Sequence, residues 1–269
     1  MPTRPSDESP LPQPPPVVPS QSAHSYNLHP HRHATVAGLP DRSLPARPRT
    51  PLRAATAPIP ITHPAVQSRV RFDEHRKPSH EQLSYAAESL FVVSENGIRV
   101  PFGDLWRERK TIVCFIRHFW CPHDQDYMHS VARNVDPITL KRAGVDLIFV
   151  GNGSAAMIKS YRHIWKLPFS VYTDPSCRLY EALGMTLRTN DPGPEFQRGE
   201  YIRHGLVGGI AMVVVHALRV GMPVFEKGGD AMQLGGEFIL GPGLTCDFAH
   251  RMRTTRSHTP IAQILAAAG

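Results

Sequence analysis

The chain has 269 residues, 27 of them proline, with 30 Lys and Arg against 23 Asp and Glu and a formal charge of +7. It contains no apolar run of about 18 residues, and no signal-peptide core follows Met1-Pro2-Thr3-Arg4, so neither a membrane span nor a secreted product is expected. The expectation is a soluble, cytoplasmic protein.

Residues 1–78 hold 17 of the 27 prolines and ten Lys and Arg against five Asp and Glu. They show neither helical nor strand periodicity and too few large apolar residues to offset the entropy of ordering, so they are expected to be a disordered tail whose partner is unknown. PLPQPPPVVP is suited to polyproline II, a form that SH3- and WW-type grooves accept, and the acid-poor stretch from His29 to Arg53 has a faint presequence character that its prolines spoil. The folded domain is expected over 79–269, where charge nearly balances. With no dense basic run and no interleaved aromatic pattern, nucleic-acid binding is not expected.

Glu81 to Glu88 reads as a short helix. Leu90 to Ser94 and Ile98 to Val100 flank Glu95-Asn96-Gly97 and read as a hairpin, since Asn-Gly supplies the positive φ that tight turns need. Thr111 to Phe119 is an almost unbroken apolar run, as expected of a strand covered on both faces. Cys121-Pro122 follows it, with proline suited to the first helical position and Met128, Val131 and Ala132 marking one apolar side. A second apolar strand, Val145 to Val150, leads through Gly151-Asn152-Gly153-Ser154 into a helix ending near Trp165. That glycine-containing turn lacks both the dinucleotide fingerprint and the phosphate-loop ending. Phe169 to Tyr172 reads as a third strand, followed by a helix from Pro175 to about Leu183. Gly205 to Leu218 reads as a helix with Leu206, Ile210, Val214 and Ala217 on a stripe. Pro223 to Phe225 and Glu237 to Leu240 are expected as closing strands, and Thr259-Pro260 as the start of a last helix. Strands alternating with helices indicate a parallel or mixed α/β sheet.

The chemistry centres on Cys121, at a strand-to-helix turn. Helix N-termini gather free N–H groups and partial positive charge, which favours a thiolate. Arg117, four residues upstream, can stabilise that thiolate or serve as a structural ion-pair partner. His118 and His123 are further candidate cations. Asp124 acts against them: two like charges about 6 Å apart at an effective dielectric of about 20 repel by roughly 3 kcal/mol, more than the roughly 0.3–1 kcal/mol of a helix-end field. Among the other cysteines, Cys114 is expected to be buried in the strand, Cys177 to sit in a first helical turn where it too can be acidified, and Cys246 to lie in a loop. A metal held by His118, Cys121, His123 and His129 is disfavoured, because residues 121 and 123 point to different sides of a helix and no second ligand pair is evident. No cofactor is expected.

The phrases FIRHFWCPHDQDYM, FVGNGS, PFSVYTDPSCRLYEALGM, LGGEFILGPG and CDFAHRMRTTRSH, in this order, resemble the peroxiredoxin-like members of the alkyl hydroperoxide reductase/thiol-specific antioxidant (AhpC/TSA) superfamily, in particular its fungal thioredoxin-like proteins. The resemblance implies a thioredoxin-like fold, a reactive thiol at Cys121, a peroxide or disulfide substrate and an external thiol reductant. Two departures stand out. The usual Cys-x-x-Cys partner is replaced by Asp124, and the positions that carry Pro and Thr or Ser in the peroxiredoxin signature hold Cys114 and His118. Recycling is then left to Cys177, Cys246 or an external thiol, or does not happen. The other reading is a redox-inactive thioredoxin-fold scaffold that binds partners.

Overall fold

A computed structural model describes residues 71–269, so the tail read from the sequence lies outside the described residues as far as residue 70. Helix α1, His80–Ser89, starts with a capping box: the Ser79 hydroxyl accepts from Gln82 N at 3.3 Å, and the Gln82 side chain accepts from Ser79 N at 2.9 Å. The hairpin follows as β1, Phe91–Val93, and β2, Arg99–Pro101, turned by Gly97 at φ +76°. The remaining elements are β3, Lys110–Phe115; α2, Pro122–Asn134; α3, Pro137–Arg142; β4, Val145–Gly151; α4, Ile158–Trp165; β5, Ser170–Thr173; α5, Arg178–Ala182; α6, Leu206–Val220; β6, Gly236–Leu240; β7, Cys246–Arg251; and α7, Ile261–Ala268.

These strands form one mixed sheet in the order β2-β1-β5-β4-β3-β6-β7, with β3, β4 and β5 parallel and β6 antiparallel to β3. It is a thioredoxin-like α/β fold. The period-two alternation of a strand explains why β3 is apolar throughout. Ile112 and Cys114 face a core completed by α2, α4, α6 and α7, while Val113 and Phe115 face one completed by α1 and α5.

Several boundaries differ from the sequence reading. The central strand ends at Phe115 rather than Phe119, because the amides of Arg117 and His118 donate to the Asp124 side chain instead of to a neighbouring strand. Pro223 to Phe225 is not a strand. It forms an exposed turn closed by Glu226 N on Pro223 O at 3.2 Å, and β3 already has β6 as its partner on that side. Cys246 opens β7 rather than lying in a loop, facing Leu240 across the ladder. Helix α6 is present, but Leu206, Ile210 and Val214 are exposed, and the buried face is Gly209, Val213 and Ala217. Gly209 decides that orientation, since a Cβ there would lie 2.9 Å from the Pro122 Cβ of α2.

Just before α1, the chain runs along β7. Arg251 N donates to Glu74 O at 2.8 Å, and Arg251 Nη1 donates to the carbonyls of Asp73 and Arg76 at 2.8 and 2.7 Å.

Candidate functional site

Where β3 ends, the backbone crosses over the sheet and Cys121 becomes the N-cap of α2, with Pro122 at the first helical position. The sulfur is fully buried. Arg117, itself buried, places Nη1 3.1 Å from Cys121 Sγ, while its Nη2 donates to Asn190 Oδ1 at 3.1 Å and to Ala231 O at 2.5 Å. A cleft of about 430 Å³, lined by His123, Asn190, Arg198, His204 and Arg256, adjoins this guanidinium at Asn190.

The thiol is not acidified in this arrangement. Burial and then the Asp124 charge push Cys121 up to about 12, against the lowering effect of Arg117 and of the Asp124 and His123 amides. The helix-end field expected from the sequence is thus present and outweighed by desolvation. Neither nearby imidazole helps. His118 is pulled down to about 4 by burial, and His123 is lowered by the same cause, so both are neutral near pH 7. His129 lies against Arg203, 2.8 Å away, and Trp165.

Asp124 is fully buried, and its carboxylate faces back to the strand end. Oδ2 accepts from Arg117 N at 2.7 Å and His118 N at 3.2 Å, and Oδ1 is 3.0 Å from His258 Nε2. Burial works to raise its pKa, but the hydrogen bond and charge of His258, together with Arg117, hold it below the usual carboxylate range. His258, 134 residues further along, is therefore the partner of Asp124. Its other nitrogen bonds Glu237, a buried acid on β6 that directly faces His250 across the β6–β7 ladder. Nothing in the sequence pattern singles out His258 or Glu237. The one available signal is that both lie inside phrases carrying the family resemblance, LGGEF and RTTRSH.

The remaining cysteines are unpaired. Cys114 is buried on β3, its sulfur 3.8 Å from the Tyr127 hydroxyl. Cys177 caps α5 in the left-handed region, φ +55°, and lines a second cleft of about 930 Å³ with Asn152, Arg188 and Lys227. Burial and the charge of Asp174 push it up to about 11, the reverse of the acidification expected there. Burial likewise pushes Cys246 up to about 11.

The sheet order and the helix that follows its central strand, capped here by Cys121, define a thioredoxin-like protein. Comparison with known proteins is more specific. A family profile described as "AhpC/TSA antioxidant enzyme" matches residues 135–254, a span that begins just after α2 and leaves out Cys121. Human "Peroxiredoxin-like 2C" is 32% identical over 214 residues, covering 79% of this chain and 92% of the human one. The chain belongs to the peroxiredoxin-like AhpC/TSA family. "Thioredoxin-like protein AAED1, chloroplastic" from Arabidopsis thaliana is 26% identical over 191 residues, covering 67% of this chain and 70% of the plant protein. Reduced Prx3 from Vibrio vulnificus, solved in complex with H2O2, gives a TM-score of 0.47 at 12% identity, covering 74% of this chain and 99% of that one. Among the described residues, no helix is long and apolar enough to cross a membrane.

Proposed function

We propose that the protein is a thiol-dependent oxidoreductase of the peroxiredoxin-like kind, with Cys121 as its reactive thiol and Arg117 as the cation that supports the thiolate. The observation that carries this reading is the guanidinium 3.1 Å from the sulfur at the start of α2. In the proposed step the Cys121 thiolate attacks one oxygen of a peroxide. The O–O bond breaks, the sulfur becomes a sulfenic acid that keeps the peroxide's proton on its oxygen, and the other oxygen leaves as water or alcohol with the proton the thiol gave up. An external thiol then condenses with the sulfenic acid, releasing water, and a second thiol reduces the mixed disulfide.

Because the sulfur is buried, the oxidant reaches it only when its cover lifts. Two bonds tie the turn before Cys121 to residues 228–231: Phe119 N donates to Gly228 O at 2.9 Å, and Arg117 Nη2 donates to Ala231 O. A reducing compartment such as the cytoplasm suits four unpaired cysteines.

Mild peroxide treatment with site-resolved sulfenate detection tests the proposal. Cys121 is expected to oxidise before Cys114, Cys177 and Cys246, and Cys121→Ser to abolish peroxide consumption; full turnover in that variant would overturn the assignment. One observation favours a second reading, a redox-inactive scaffold: the thiol is fully buried and pushed up to about 12. On that reading Cys121 stays unmodified.

A further inference from the structure

Asp124 stands in the first turn of α2 beside the sulfur of Cys121, and a bare carboxylate buried there would either repel the thiolate or take up a proton. Neither outcome fits its surroundings, because three donors converge on it. Two of these are backbone amides at the end of β3. The third, His258, comes from the segment leading into α7 and lies fully buried between two carboxylates, with Nε2 3.0 Å from Asp124 and Nδ1 on Glu237.

The clamp is built from several elements. Tyr127 of α2 stacks on the His258 ring, centroids 4.4 Å apart and planes within 12°. The Tyr201 ring meets it edge-on at 6.0 Å, and the Tyr201 hydroxyl accepts from His258 N at 2.9 Å. Behind His258, the second oxygen of Glu237 accepts from Thr259 N at 3.2 Å and meets His250 Nδ1 at 2.7 Å. His250 Nε2 is 3.6 Å from Glu74, which also pairs with Arg253 at 2.6 Å. A line of alternating carboxylates and imidazoles therefore runs from the reactive-thiol turn to the segment beside β7.

We propose that His258 is a positioning residue for Cys121: held between Glu237 and Asp124, it keeps the Asp124 carboxylate ionised and aimed at the Arg117 and His118 amides. Two consequences follow for the sulfur. The carboxylate is occupied by the strand end, so the amides of His123 and Asp124 remain directed to Cys121. Its charge is also partly balanced by an imidazolium, so Asp124, at the position of the family's second cysteine, opposes the thiolate less than a bare carboxylate would. Burial works against the imidazolium, yet the Glu237 charge and the bonds to Asp124 and Glu237 push His258 up to about 9, in agreement with the geometry. The groups that face it are Asp124, Glu237, Tyr127 and Tyr201, with Arg117 acting on it through Asp124.

The inference rests on Cys121 as the reactive thiol, but its test does not need turnover. The Cys121 alkylation rate is measured from pH 5 to 9 in the intact chain, in His258→Gln, in Asp124→Asn and in the double variant. Without His258, burial raises the Asp124 pKa, so Asp124 takes up a proton as pH falls and the repulsion on the thiolate disappears. The His258→Gln to wild-type rate ratio is expected to rise about tenfold from pH 8 to pH 5. In the Asp124→Asn background the same substitution is expected to leave the profile shape unchanged, because His258 acts through Asp124. A His258→Gln profile parallel to wild type at every pH, or an equal effect in both backgrounds, would overturn the proposal. Should the variants fail to fold, ¹⁵N resonances of the intact protein decide: both ring nitrogens of His258 are expected to be protonated at pH 7, and a neutral ring overturns it. A protein with this pH behaviour that ignores peroxide would sink the oxidoreductase reading and leave the clamp standing. Peroxide oxidation at Cys121 with a neutral His258 would do the reverse.

Discussion

Two strand-to-helix turns in this molecule look alike and behave differently. After β3, Cys121 caps α2; after β5, Cys177 caps α5; each has an aspartate three residues away, Asp124 downstream in one case and Asp174 upstream in the other. At the second turn the aspartate takes the helix end for itself. Asp174 accepts from Ser176 N at 3.2 Å and Leu179 N at 2.7 Å, so the Leu179 amide in the first turn of α5 is spent on a carboxylate rather than on Cys177. At the first turn the carboxylate faces the other way, toward Arg117 N and His118 N, and the sulfur keeps its amides as well as an arginine. A cysteine at a helix start is therefore not enough. Burial raises both thiols, Cys121 to about 12 and Cys177 to about 11, and beyond burial the two turns differ in which acceptor captures the orphan donors and which cation balances the acid.

The largest effect on thiol reactivity is expected from removing the cation at the first turn. Arg117→Ala leaves burial and the Asp124 charge opposed only by the His123 and Asp124 amides, so Cys121 alkylation near neutral pH is expected to fall about a hundredfold, roughly 2.7 kcal/mol of differential interaction. Arg188→Ala beside Cys177 is expected to change labelling there only a few-fold, and comparable losses at both sites would erase the distinction.

Next comes the acid–base clamp that only the first turn possesses. Breaking a buried pair by removing one partner costs about 3–5 kcal/mol, so Glu237→Gln is expected to lower the melting temperature by many degrees, measured by calorimetry. The pH dependence has a definite sign. The folded pKa of His258, about 9, lies above its unbound value of 6.5, so its contribution is complete below 6.5 and lost as pH rises through 9. Glu237, pulled to about 2 from 4.5 by the His258 charge and the His250 bond despite its burial, contributes above 4.5 and loses that as pH falls toward 2. The melting temperature is expected to be highest between about 4.5 and 6.5 and to fall from there toward pH 9, and His258→Gln is expected to flatten that alkaline slope.

A smaller effect tests the like-charge repulsion. Asp124→Asn is expected to speed Cys121 alkylation about tenfold, since the acceptor for the strand-end amides is retained while the charge is removed. Unchanged labelling would show that His258 already cancels the whole charge. The smallest change is expected at the second turn: Asp174→Ala frees the Leu179 amide at the start of α5, giving a few-fold faster Cys177 labelling at a cost of about 1 kcal/mol of stability from the lost cap.

The sequence carried much of the fold and part of the site. The Asn-Gly hairpin, the apolar runs of β3 and β4 and the proline after Cys121 are local signals, and each element formed where its own residues favoured it. Residues 223–225 did not: they form an exposed turn closed by Glu226 N on Pro223 O. The buried face of α6 was likewise illegible. Its composition is apolar all round, and the choice of Gly209 over Ile210 comes from the closeness of Pro122.

Sequence by itself determined that a cysteine stands at the start of a helix after a covered strand, since both depend on neighbours within a few positions. It determined equally that an acid follows one turn later. Whether that cysteine is exposed, whether its acid is balanced and by what, were decided only by tertiary structure. Burial, and the meeting of Asp124, Glu237 and His258 from α2, β6 and the approach to α7, are sums over contacts between residues 21 to 134 positions apart, and no local pattern encodes them.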